Sequence, residues 1–216
     1  MKDTFKHKGL RKRLVELLHK KGIKNTEVLR AMAKIPRHFF LDSALAEHAY
    51  EDKALPINDG QTISQPYTVA YQTEWLQLKP GHKVLEVGTG SGYQGSIICE
   101  LGCELISIER FESLSVQAGK IMAALGYSAE LIVGDGSLGF PEKAPYDAII
   151  VTAAAPDLNE NLIKQLKKGG RMIIPVGQKE QIMYGITRDQ NGVVKARKMD
   201  SFRFVPLIGK AGFREQ

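Results

Sequence analysis

Residues 83–92 read Lys-Val-Leu-Glu-Val-Gly-Thr-Gly-Ser-Gly. A short run rich in Val and Leu ends in three glycines at alternate positions, and a helix-forming stretch follows. This pattern predicts a buried strand, a sharp turn and a helix start. Glycine suits a turn that must bend tightly and let a ligand reach the backbone with no Cβ in the way. In doubly wound folds, ligands sit at this place, the carboxyl end of the first strand.

Outward from the loop, strand patterns alternate with helical ones. Strands are expected at 83–87, 104–109, 129–133, 147–152, 170–176, 181–187 and 202–207. Several are continuously apolar, such as Ala148-Ile149-Ile150-Val151, as strands covered on both faces are. A helix is expected over about 157–168, with Leu158, Leu162 and Leu166 on one face. Lys167-Lys168-Gly169-Gly170 would close it, with cations at its negative end and glycines for the exit. The implied fold class is α/β, a doubly wound, mostly parallel, Rossmann-like sheet. Strand patterns without intervening helices over 178–210 suggest an antiparallel finish. Before Gly81, helices are expected over about 9–21, 25–34 and 66–78, with Pro66 at the first helical position. Residues 1–80 thus read as an N-terminal helical extension with a cover segment and 81–216 as the ligand-binding domain, together one unit.

Composition narrows the function classes. The 216 residues are 43% hydrophobic and 25% charged, ordinary for a globular protein. No apolar run is long enough to cross a bilayer, and Met1-Lys2-Asp3-Thr4 opens no signal-peptide core, so a cytoplasmic protein is expected. Residues 1–24 carry nine Lys/Arg against Asp3 and Glu16, and the rest of the chain nets −1. Leu10, Leu14, Leu17 and Leu18 make an apolar stripe opposite these cations, which favours a solvated basic face over a nucleic-acid or membrane contact. Cys99 and Cys103 lack a second ligand pair, and the histidines at 7, 19, 38, 48 and 82 are scattered. No metal is expected.

Three carboxylates mark successive strand ends. Glu86 precedes the first glycine by two, Glu109 follows it by 21 residues, and Asp135 stands in Gly134-Asp135-Gly136. A carboxylate at Glu109 can accept both hydroxyls of a ribose, in nicotinamide and S-adenosylmethionine enzymes alike. The spacing G-x-G-x-G preceded by Glu86 resembles the first motif of class I methyltransferases. A dinucleotide dehydrogenase usually has G-x-G-x-x-G, and here Tyr93 stands at the third glycine. On that resemblance, Glu86, Gly88, Thr89, Gly90, Ser91, Gly92, Glu109, Asp135 and Gly136 are expected to bind S-adenosylmethionine, with Asp135 at the adenine amino group. An Asn/Asp-Pro-Pro-aromatic motif and a Pro-Cys pair, which mark amine and cytosine methylation, are absent at Val151-Thr152-Ala153-Ala154-Ala155-Pro156.

A more specific resemblance lies upstream. Pro56-Ile57-Asn58-Asp59-Gly60-Gln61-Thr62-Ile63-Ser64-Gln65-Pro66-Tyr67 resembles the motif preceding the cofactor loop in protein-L-isoaspartate (D-aspartate) O-methyltransferases. Matching pieces follow in order: Ile35-Pro36-Arg37-His38-Phe39, residues 84–94, Gly134-Asp135-Gly136, residues 146–154 and residues 202–207. Gln65 and Tyr67 replace the Ala and His of animal members, as in the bacterial version. Asn58-Asp59 replaces a Gly-containing pair, and Phe202 stands where Val is frequent.

The resemblance implies methylation of the α-carboxylate of L-isoaspartyl residues in damaged proteins, which initiates their repair. It makes Ser64 the catalytic residue, through a hydroxyl donated to the substrate carboxylate. Thr62, Ile63 and Gln65 would then belong to a cover, and Val205 and Pro206 would meet the peptide substrate. A carboxylate acceptor is already ionised at pH 7, so no general base is needed. The alternatives are an RNA or small-molecule methyltransferase, a non-catalytic cofactor-binding module and a nicotinamide oxidoreductase. Oligomeric state is not legible.

Overall fold

The computed structural model describes residues 2–215. Helix α1 (Phe5–Lys20) starts at Thr4, whose hydroxyl accepts the His7 N–H, and α2 (Thr26–Lys34) starts at Asn25, whose side chain accepts from Glu27 and Val28. Two 3₁₀ turns, Arg37–Phe40 and Ser43–His48, lead to a small hairpin of β1 (Leu55–Pro56) and β2 (Thr62–Ile63). Helix α3 (Pro66–Leu76) follows. The main domain then alternates β3 (Lys83–Val87), α4 (Tyr93–Glu100), β4 (Glu104–Glu109), α5 (Glu112–Ala124), β5 (Glu130–Val133), β6 (Tyr146–Val151) and α6 (Glu160–Lys164). It closes with β7 (Leu166–Val176), β8 (Gln181–Arg188) and β9 (Val194–Phe202).

The seven long strands lie in the order β5-β4-β3-β6-β7-β8-β9. Pairing is parallel from β5 through β7 and antiparallel through β8 and β9. The expected doubly wound sheet is therefore present, finished by an antiparallel meander. Strand order reverses between β3 and β6, which leaves a crevice beyond their carboxyl ends. One apolar cluster joins Leu14, Val28, Met32, Ile63 and Val69 of the first 80 residues to Val84, Ile97, Ile150 and Met183. The opposite face carries a second cluster around Leu85, Ile149, Leu162 and Met172.

Two elements differ from expectation. The last strand spans 194–202 rather than 202–207. It is the sheet edge, exposed along nearly its whole length, so Lys195, Arg197 and Lys198 hide its strand pattern while guarding the edge against further pairing. The helix expected over 157–168 is cut to Glu160–Lys164. The Gln165 side chain accepts the Phe140 N–H at 2.8 Å and donates to the Leu138 C=O at 2.8 Å, pulling the chain out of the helix. Leu166 is buried as expected, but in β7.

The N-terminus also departs from its pattern. Arg11, expected on the solvated basic face, is 6% exposed and grips both Asp3 oxygens, at 3.2 and 2.9 Å. His7 and His38, expected to be scattered, stack with ring centroids 3.8 Å apart beside that pair. Ligand atoms of Asp3, His7 and His38 lie within 4.8 Å of one another. The Asp3 charge is already answered by Arg11, and His38 Nδ1 shares a proton with the Tyr50 hydroxyl at 2.7 Å. The cluster works as a hydrogen-bonded staple for the first residues of the chain.

Candidate active site

A cleft lies over the carboxyl ends of β3, β4 and β6, lined by the glycine loop, Glu109 and residues 62–64. Its floor is the glycine loop. Gly88 has φ +98° and donates its N–H to the Ile108 C=O at 2.8 Å. A Cβ at Gly88 would overlap the Thr152 hydroxyl, which donates to the C=O groups of Val87 and Gly88 at 3.0 and 2.6 Å. Gly90 has φ +52°, and a Cβ there would meet only Ile57 Cδ1, at 4.0 Å. Thr89 and Ser91 line the wall beside it. Gly92 lies outside the wall. It starts α4 at φ +84°, and a Cβ there would come within 3.0 Å of Ala118 Cβ, so its lack of a side chain serves α4–α5 packing.

Glu109 lines the cleft although it is only 6% exposed. One carboxylate oxygen accepts the Gly90 N–H at 2.8 Å, the other the Phe111 N–H at 3.1 Å. Each oxygen keeps acceptor capacity for a further donor, such as a ribose hydroxyl. Gly136 closes the far wall, where a Cβ would meet Val87 Cγ1 at 2.7 Å.

Two carboxylates expected at the ligand point elsewhere. Asp135 is turned to the C-terminal segment. One oxygen accepts from the Ser137 N–H and hydroxyl at 2.9 and 2.6 Å, the other from the Lys210 N–H at 2.7 Å. Burial pushes its pKa up, but these donors outweigh burial and hold it below its ordinary value. Asp135 therefore anchors residues 207–211, which in turn bring Leu207 and Ile208 to the cleft.

Glu86 is fully buried beneath the loop. It accepts from the Ser107 hydroxyl at 2.6 Å, and Ser107 meets the Thr89 hydroxyl at 2.6 Å. Burial, aided by the charge of Glu109 and opposed by the Ser107 hydrogen bond, pushes the Glu86 carboxyl up to about 8. The folded protein thus holds a proton that the unfolded chain releases near the ordinary value of 4.5. Between those pH values the native state binds more protons, so stability falls as pH rises, by at most ~1.4 kcal/mol per pH unit. Glu86→Gln is expected to remove this dependence. Its melting temperature should gain on the wild type steadily from pH 5 to pH 8, and a constant difference would disprove the buried neutral acid.

The acceptor side of the cleft comes from the hairpin and α3. Thr62, Ile63 and Ser64 line it. The hairpin tip is latched to α5 by Asn58 donating to Gln117 at 3.2 Å and by the Ser113 hydroxyl donating to Asp59 at 2.6 Å. A serine before Pro66 would ordinarily be assigned to capping the helix. Here the N-cap position is Gln65, whose side chain makes no capping bond. Asp52 does that work from outside, accepting the Tyr67 N–H at 2.8 Å. The same carboxylate accepts from Gln65 Nε2 at 3.1 Å and Lys21 Nζ at 2.6 Å. Gln65, expected in the cover, is turned away from the cleft by this bond. Asp52→Ala should cost about 0.5–2 kcal/mol, the range for loss of a helix cap, read as a lower urea midpoint at unchanged slope. An unchanged midpoint would deny Asp52 the capping role.

Val205 and Pro206 complete the wall. The Val205 C=O accepts the Ala154 N–H, and the Leu207 N–H donates to the Ala154 C=O, both at 2.8 Å. These backbone groups, expected to face a peptide, are spent on the loop after β6. Gln181 clamps the neighbouring Phe204 by both its N–H and its C=O. Sequence reasoning missed Thr152, Val69 and Gln94 among the lining residues. Of these three, Thr152 carried a positional signal, directly after β6, as did Arg110 directly after β4.

These features fit S-adenosylmethionine. Glu109 offers acceptors for a vicinal diol, and Gly90 presents its backbone to the cleft with no side chain in the way. The chain matches the family model described as protein-L-isoaspartate(D-aspartate) O-methyltransferase over residues 9–212. It is 51% identical to the protein-L-isoaspartate O-methyltransferase of Cytophaga hutchinsonii, covering 99% of this chain and 97% of that one. A solved protein-L-isoaspartate O-methyltransferase superposes with TM-score 0.84 at 30% identity, covering 94% of this chain and 67% of that one. A Plasmodium falciparum structure assigned to the same activity, solved with S-adenosyl-L-homocysteine, gives TM-score 0.80 at 27% identity, covering 94% and 98%. With the doubly wound sheet, the glycine loop and the Ser64 segment facing one cleft, this chain belongs to the protein-L-isoaspartate (D-aspartate) O-methyltransferase family.

Proposed function

We propose that this chain is a protein-L-isoaspartate O-methyltransferase, which methylates the α-carboxylate of L-isoaspartyl residues in damaged proteins and so starts their repair. The observation that carries the reading is Ser64, freed from capping and lining the same cleft as Gly90 and Glu109. When bound, S-adenosylmethionine supplies a methyl group made electrophilic by its sulfonium.

The chain's own residues orient and enclose. Glu109 holds the ribose hydroxyls, and Gly88, Thr89, Gly90 and Ser91 shape the floor under the nucleoside. Glu86 acts from below through Ser107 and Thr89, and Asp135 acts through the segment it anchors. The Ser64 hydroxyl donates to one oxygen of the substrate carboxylate and leaves the other free to attack. A neutral donor suits this task, because a cation would lower the nucleophilicity of the carboxylate. Thr62 and Ile63 lie over the reacting groups, with Val205 and Pro206 opposite. Alignment of this kind is worth on the order of 7–11 kcal/mol in well-arranged systems.

The reading places the enzyme in the cytoplasm, with damaged polypeptides as partners rather than nucleic acid or membrane. Among the described residues no helix is long and apolar enough to cross a membrane. The test is labelling of an isoaspartyl peptide and its normal-aspartyl twin with tritiated S-adenosylmethionine. Transfer to the isoaspartyl peptide alone supports the assignment. Equal labelling of both, or of neither, overturns it.

A further inference from the structure

We propose that Arg37 is a positioning residue for methyl transfer, which sets the acceptor wall carrying Ser64 against the glycine loop; this rests on the function proposed above. Arg37 lies on the first 3₁₀ turn, is 0% exposed and does not line the cleft. Its guanidinium stands over the Tyr93 ring, 4.9 Å from the centroid. Phe40, on the same turn, meets that ring at a steep angle with centroids 5.4 Å apart. Tyr93 is the first residue of α4, directly after Gly92, and lines the cleft. The turn thus grips the glycine loop at its exit. The nitrogens of the same guanidinium reach the acceptor side. Nε donates to the Ala49 C=O at 2.9 Å and Nη2 to the Lys53 C=O at 3.5 Å. Between those carbonyls stands Asp52, which accepts the Tyr67 N–H and takes Gln65 Nε2 on both its carboxylate and its own C=O. Ser64 immediately precedes Gln65. One side chain therefore joins the two halves of the cleft.

Stability alone is a poor reason to keep this group. A buried cation is costly unless it is paired and fully hydrogen-bonded. Arg37 Nη1 has no partner among the described residues, and Asp52 supports the charge only through space. Burial pulls the pKa of the guanidinium down to about 10, which leaves it charged at neutral pH. An apolar side chain would fill the same volume without that penalty. What the guanidinium supplies is geometry: its flat face stacks on a ring while its edge donates to carbonyls. Lysine, a point charge on a flexible stem, cannot do both at once. The reaction is sensitive to such geometry, since a shift of about 1 Å between reacting groups can cost on the order of 10²-fold in rate.

The experiment compares wild type with Arg37→Met and Arg37→Lys, all assayed below the onset of melting. Calorimetry gives Kd for S-adenosylhomocysteine, and steady-state and single-turnover kinetics give KM, kcat and the transfer rate for an isoaspartyl peptide. In Arg37→Met, kcat and the single-turnover rate should fall together, roughly 10- to 100-fold, the scale of a small misalignment. Kd and KM should stay within about threefold of wild type. Arg37→Lys keeps the charge and a donor, so it should recover part of the rate, and it carries the test if Arg37→Met does not fold. Wild-type kcat in the folded variants, however far their melting points drop, would make Arg37 a purely structural residue and overturn the proposal. So would a loss of kcat matched by an equal loss of S-adenosylhomocysteine affinity, which would place the effect in cofactor binding. Failure of wild type to label any isoaspartyl peptide would refute the proposed function itself, a separate outcome.

Discussion

Ser64→Ala is expected to lower kcat for an isoaspartyl peptide about 10- to 100-fold, with S-adenosylhomocysteine affinity unchanged. A hydrogen bond to a charged group contributes about 1.5–3 kcal/mol, and loss of that amount in the transition state gives this range. The fold should not suffer, because α3 is capped by Asp52 and the Gln65 side chain adds no capping bond. Steady-state kinetics beside a melting curve separate the two effects. Full turnover in the variant would remove Ser64 from the reaction. A melting point lowered in step with kcat would make it a structural residue instead.

Glu109→Gln should weaken S-adenosylhomocysteine binding roughly 10²- to 10³-fold, the worth of about two hydrogen bonds to a charged acceptor. The amide that replaces the carboxylate can accept through one end only. Its NH₂ end would face either the Gly90 or the Phe111 N–H, both now paired with Glu109. A ribose hydroxyl pair would lose its charged acceptor as well. Titration calorimetry reads the change directly, and a Kd within threefold of wild type would deny Glu109 the ligand. A second consequence is independent of ligand. The charge of Glu109 helps to hold the proton on Glu86, so the loss of stability with rising pH should become shallower in Glu109→Gln.

The parallel half of the sheet was legible because β3, β4 and β6 are covered on both faces and carry near-continuous apolar runs. β9 was not, since an exposed edge strand has no buried face to leave a pattern. The shortened α6 was hidden for another reason: the Gln165 contact with residues 138 and 140 comes from across the fold. At the site, glycine spacing and strand-end acids located the cleft correctly, but side-chain direction escaped. Strand alternation sets Glu86 on the face opposite Leu85 and Val87, toward α4, where Gly95 leaves room for its carboxyl. Asp135 stands at the right strand end, yet the last ten residues of the chain claim it. Ser64 was readable only through a family motif. The residue that frees it, Asp52, lies 12 positions away with nothing local to mark it.

That division of labour between Asp52 and Ser64 has an evolutionary meaning. A serine that capped a helix and also touched substrate would be restrained by folding as well as by turnover. Here selection on position 64 is released from the demands of folding, so variants there can explore new acceptor groups while the helix stays intact. The scaffold tolerates change at that position, and a library built at position 64 should return mostly folded proteins, because the cap of α3 is held by Asp52.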